Sequence, residues 1–218
     1  MSVAAPARHD GRDVLEILAT ILLALAAVAT AWSSYQAARW NGEQAKTASR
    51  VNATRVDAAR AQGLAEAQTE VDVATFIQWV DADVSDDTEL KAFYEHRFRD
   101  EFKPAFQAWL DTDPLVTTDA PPTPFAMEEY KLEATKQAEA LDAEAERLAA
   151  QVRRNIQRST NYMLGVVLFA VSLFFAGVST KLRGRGSRVA LLVVGSTMFV
   201  CTAAWIATSP ISLAIHSS

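Results

Sequence analysis

Three long apolar runs, Val14 to Trp32, Tyr162 to Thr180 and Val189 to Thr208, stand apart from an otherwise polar chain. Each is close to the roughly 20 residues that cross a hydrocarbon core at 1.5 Å per residue. The first carries one charge, Glu16, near its start. A cleavable leader is the rival reading of this run, but Trp32, Tyr35 and Trp40 stand where a cleavage site needs small residues. The pattern therefore predicts an uncleaved transmembrane helix over 14–34, a second over 161–180 and a third over 189–208. A polar tail (1–13) precedes them, a basic turn (181–188) joins the last two, and a short tail (209–218) follows.

Between the first two spans the period stays helical. No Pro or Gly interrupts the first apolar run, so its helix is expected to continue into water over 35–75. Steps of four and three from Ala38 meet Gly42, Ala45, Ser49, Asn52, Val56, Ala59 and Gly63, nearly all small, and a stripe of that kind admits a partner backbone closely. A returning helix over 126–160 places Leu141, Leu148, Val152 and Ile156 at heptad spacing. The two are expected to pair antiparallel, apolar seam against small stripe, with Trp40 and Arg39 beside Arg154 and Arg158. The stretch 76–125 holds Phe76, Trp79, Phe93, Tyr94, Phe98, Phe102, Phe106, Trp109 and Phe125. Ser85 or Asp87 is placed to cap one helix there and Pro104 to start another, and a Pro-rich loop follows. The whole reads as an all-α membrane protein: three spans, with a helical hairpin and an aromatic-rich cap between spans one and two. The aromatic residues Trp32, Tyr35, Trp40 and Tyr162 are expected at the membrane interface.

Charge sharpens this division. Residues 36–161 hold 15 Lys and Arg against 23 Asp and Glu, a net of −8, while the remainder has a net of +3, within a chain total of −5. An acidic water-facing part argues against nucleic acid, which needs a basic footprint. The turn KLRGRGSR has four basic residues and no acidic one, which places it in the cytoplasm and the hairpin outside. Arg39, Lys46, Arg50, Arg153, Arg154 and Arg158 on the hairpin side pull the other way. The single cysteine, Cys201, excludes an intrachain disulfide.

Candidate chemistry is sparse. Glu16 is the only carboxylate within a span and so the one candidate for an ion or proton site, but a surface-reaching residue near a helix N-terminus is the better reading of it. His96 has Asp100 four residues on, which reads as a helix-surface ion pair, and the other histidines, His9 and His216, are terminal. The run Asp81, Asp83, Asp86, Asp87 and Glu89 lacks the Gly and spacing of a calcium loop and reads as a capping turn. No phosphate loop, nucleophile elbow or zinc motif occurs, so no enzyme, cofactor or metal is expected. A pair of helices buries little alone, and a homo-oligomer is expected, with a protein partner at the aromatic cap.

The segment WSSYQAARWNGEQ (Trp32 to Gln44), with an Ala-rich helix behind it and two closely spaced spans near the C-terminus, resembles a group of uncharacterised bacterial integral membrane proteins. That resemblance implies a multi-pass protein of the bacterial inner membrane and brings no activity with it. The order of spans is also similar to that of proton-driven motor stators, which implies an alternative function as an oligomeric ion-conducting protein.

Overall fold

The computed structural model describes residues 10–114 and 116–212, and side chains from Val14 onward. His9 and His216, Arg8 and the side chain of Arg12 lie outside the described residues, as does most of each expected tail. Among the described residues the chain is all helical: α1 (Asp10–Val84), α2 (Thr88–Arg97), α3 (Lys103–Leu110), a 3-10 turn (Pro124–Ala126), α4 (Glu133–Lys181) and α5 (Arg185–Ala207). Three of these, α1, α4 and α5, are long and apolar enough to cross a membrane.

α1 runs for 75 residues. Its Ala-rich sequence keeps the helix register through Gly42 and Gly63, each of which has open space where a Cβ would stand. The helix begins at Asp10, so residues 10–13 belong to it rather than to a tail, and it continues nine residues past the expected end at 75. It stops at a Schellman closure: Asp87 N–H donates to Ala82 O (3.0 Å) and Asp86 N–H to Asp83 O (3.2 Å), with Asp86 at φ 55°. Asp87 then caps α2 by accepting from Leu90 N–H at 3.0 Å. The acidic run is thus spent on turn chemistry, with Asp83 also paired to Lys91. α2 ends at Arg97, so His96 and Asp100 do not share a helix; Asp100 pairs instead with Lys103 at 2.7 Å. Pro104 opens α3.

Two corrections concern boundaries. The returning helix starts at Glu133, not near 126, because Glu133 N–H donates to Glu101 Oε1 (3.1 Å) and Tyr130 turns into the aromatic cluster. The basic turn shrinks to Leu182–Gly184, since Lys181 ends α4 and Arg185 begins α5.

The chain divides into two compact units. Unit 1 comprises Met1–Ala48 and Ala149–Ser218. Its core has two apolar clusters, one of Ala19, Leu22, Ala176 and Leu192, the other of Ala37, Trp40, Tyr162, Phe169 and Ile206. Gly165 allows close packing there: a Cβ on it would come within 2.8 Å of Ile206 Cδ1, so that side chain would have to shift.

Unit 2 is Ser49–Leu148. Phe76, Trp79, Phe98, Phe102, Phe106 and Trp109 form its core, with Tyr94, Phe125 and Tyr130 packed against them. Their rings meet mostly edge to face, as between Trp79 and Phe106 at 4.9 Å. Both buried indoles find acceptors: Trp79 Nε1 donates to Glu95 (2.8 Å) and Trp109 Nε1 to Pro121 O (2.8 Å). Of the nine aromatic residues, Phe93 is the exposed one, under the Arg97 guanidinium.

Candidate functional site

Within each unit the face of α1 that packs inside the chain is not the expected one. Ala38, Gly42 and Ala45 in unit 1, and Ser49, Asn52, Val56, Ala59 and Gly63 in unit 2, are all exposed. The buried stripe runs through Ser33, Ala37, Trp40 and Thr47 in unit 1, and through Val51, Ala58, Ala61, Ala65 and Asp72 in unit 2. Heptad geometry puts the two stripes on roughly opposite faces of the helix. On α4, Leu141, Leu148 and Val152 are half-buried, but Ile156 is 43% exposed and Asn155, at 3%, takes its place. One turn further on, Ser159 is likewise buried and meets polar groups of α1.

Those polar groups form the first cluster, in unit 1. The Ser159 hydroxyl of α4 lies 3.1 Å from the Ala37 carbonyl and 3.0 Å from Asn41 Oδ1. Gln36 is fully buried and its Oε1 accepts from Ser212 N–H at 3.0 Å. Tyr162 O–H donates to Pro210 O at 3.2 Å. The Arg158 guanidinium stands 4.5 Å from the centre of the Trp40 ring. Trp40 and Tyr162 are therefore interior residues of the unit, 9% and 0% exposed, and not the outward-facing interface aromatics expected of them. The guanidinium over Trp40 is the neighbour that the pairing of α1 and α4 predicts, while Tyr162 is drawn inward by a carbonyl the sequence places far away. Trp32 and Tyr35, about half exposed with ring centres 6.0 Å apart, do face outward. Among the described residues Ser33 Oγ, Gln36 Nε2 and Trp40 Nε1 are buried without a protein partner.

The second cluster lies in unit 2 and centres on Asp72, whose side chain is 1% exposed. Its Oδ2 accepts from Arg99 (2.8 Å) and from the Tyr130 hydroxyl (3.1 Å), and that hydroxyl is also 3.2 Å from Thr69 Oγ1. Arg99 pairs in addition with Glu101, whose other oxygen caps the start of α4. Three segments far apart in sequence are thus held by one carboxylate. Burial pushes the Asp72 carboxyl above its ordinary value, against the lowering effect of Arg99 and Tyr130. Burial likewise raises the Tyr130 phenol. The arrangement is a closed clamp that can hold a proton or a charge. Sequence reasoning passed over Asp72; its one signal is a carboxylate placed at steps of three and four among Ala58, Ala61, Ala65, Phe76 and Trp79.

The third feature is the predicted Glu16. Its side chain is 67% exposed, and its Oε2 lies 3.8 Å from Arg188 Nη2 at the start of α5. Arg188 is turned inward, 8% exposed, with its Nε unpartnered. Among the basic residues of KLRGRGSR, Lys181, Arg183 and Arg185 remain exposed. No family model, no curated protein and no solved structure matches this chain.

Proposed function

We propose that this chain is a non-enzymatic scaffold of the bacterial cytoplasmic membrane. In this reading α1 and α4 pair antiparallel as a helical hairpin outside the membrane, closed by the aromatic core, and the chain self-associates through the outer face of α1. The observation that carries the proposal is the pair of opposed stripes on α1. One is used inside the chain, and the other, Ala38 to Gly63, is small, exposed and regular over seven steps. Such a face suits a second helix better than water alone, since small side chains let backbones approach. Partner binding is assigned to the cap, where Ile77, Val84, Leu90 and Phe93 remain exposed. Trp32 and Tyr35 are assigned to the headgroup level. Glu16 is read as an anchor rather than a conducting group, and Arg188 beside it supports that reading.

Disulfide cross-linking in native membranes tests the self-association, after replacing Cys201 by Ser. Ala45→Cys and Ala59→Cys, on the exposed stripe, are expected to give a covalent dimer band. Ala58→Cys and Ala61→Cys, on the buried stripe, are expected to stay monomeric. Monomer throughout would remove the scaffold reading.

A further inference from the structure

In the span-forming part of unit 1, α1 and α5 leave an open groove of about 600 Å³, lined by Leu15, Leu22 and Leu25 on one side and Val189, Leu192 and Val200 on the other. Its length has a physical meaning. Leu15 to Leu25 is ten steps along the helix and Val189 to Val200 eleven, which at about 1.5 Å per residue is about 15–17 Å. That is half of a hydrocarbon core about 30 Å thick, the depth of one leaflet. The groove thus runs from the level of Glu16 and Arg188 down to the middle of a bilayer. Its rims are apolar and open: Ile21 and Val193 are 49% and 58% exposed.

The groove's outer end is cationic. Among the described residues Arg188 has one counter-charge, Glu16 Oε2, at 3.8 Å, too long for a hydrogen bond, and its buried Nε has no partner there. Glu16 itself is two-thirds in the open and free to swing away. Lys181, Arg183 and Arg185 stand exposed in the same stretch, with no Asp or Glu from 181 to 188. The N-terminus of α5, capped by Gly184 with no side-chain hydrogen bond, adds unpaired amide donors of the kind that receive phosphate.

We propose that this groove is a binding site for one anionic phospholipid, with an acyl chain between α1 and α5 and the phosphate at Arg188 and the start of α5. The headgroup takes the place beside Arg188 that Glu16 fills in its absence, so Glu16 competes with the ligand. The inference rests on the three membrane-length helices and not on self-association, so either can fail alone.

Native mass spectrometry of the full chain in detergent, titrated with dioleoyl phosphatidylglycerol or dioleoyl phosphatidylcholine, tests it. The expected result is one phosphatidylglycerol retained per chain in preference to phosphatidylcholine. Arg188→Gln should lower that preference about fivefold, the attraction of one cation for an anionic membrane surface. Glu16→Gln should raise phosphatidylglycerol retention, an increase that a merely structural ion pair would not give. Val193→Trp, which fills the groove, should abolish retention of both lipids. Equal retention of the two lipids by the unaltered chain overturns the proposal, as does a lipid-free dimer with the groove covered by a second copy. Should Arg188→Gln fail to fold, Glu16→Gln decides alone: no rise in retention overturns it.

Discussion

A carboxylate with 1% of its side chain in solvent leans on its neighbours, and Asp72 is matched at Oδ2 by Arg99 and Tyr130, while its buried Oδ1 has no hydrogen bond among the described residues. Removing one partner of such a pair strands the other charge, which typically costs about 3–5 kcal/mol. Arg99→Met should therefore loosen unit 2, seen as faster hydrogen exchange of the α1 amides around Ala65 to Trp79. Asp72→Asn combined with Arg99→Met should cost less than the two singles added together; simple additivity would mean that the contact carries no coupling. The acid side of the stability curve reports the same group. Burial raises the folded carboxyl above its unfolded value, so between the ordinary value of 3.8 and the raised one the folded chain holds a proton the unfolded chain has released. The stability from this group is complete below 3.8 and is lost as pH rises through the folded value. Asp100, held low by Lys103, works with the opposite sign from the surface. Unfolding measured across that window should show a downward contribution with rising pH that Asp72→Asn abolishes; an unchanged slope in that variant would assign the effect elsewhere.

At the scale of the helix, ends were easier to read than faces. Asp87, Pro104 and the three apolar runs announce themselves because caps, prolines and span lengths act locally. The packed face of α1 does not, because Ala38–Gly63 and Ser33–Asp72 are both small and both step by three and four. What selects between them is long-range: Ser159 meeting Asn41, Arg158 over Trp40, Tyr130 reaching Asp72. On α4 a preference for apolar positions pointed to Ile156, while Asn155 and Ser159 are the buried ones. Tyr162 is interior for the same reason, since an interface aromatic and an interior one have the same local sequence, whereas Trp40 lies beside Arg158 as the helix pairing predicts. Close approach gives a sharper handle. Gly165→Ala would push a methyl against Ile206 and should lower the thermal midpoint in detergent by the equivalent of about 1–3 kcal/mol. Gly177→Ala meets nothing within 4 Å and should be nearly silent. Equal effects at the two glycines would contradict the packing described.

For the molecule as a whole, the sidedness we propose rests on where its cations stand. With Arg188 folded onto Glu16, the link between α4 and α5 still exposes Lys181, Arg183 and Arg185, which favours a cytoplasmic position for it. An impermeant maleimide should then label Asp119→Cys in intact cells, in a Cys201→Ser background; labelling only after lysis would invert the assignment. The buried polar cluster of unit 1 has one more consequence, for synthesis. The Ala37 carbonyl, already bonded within its helix, gains Ser159 122 residues later, and Gln36 gains Ser212 176 residues later. At 5–20 residues per second those delays are about 6–24 s and about 9–35 s. For that time the nascent first helix carries, just past its span, a glutamine that lacks its Ser212 partner. A ribosome that stalls between spans therefore leaves in the membrane a helix whose polar face is still seeking a mate.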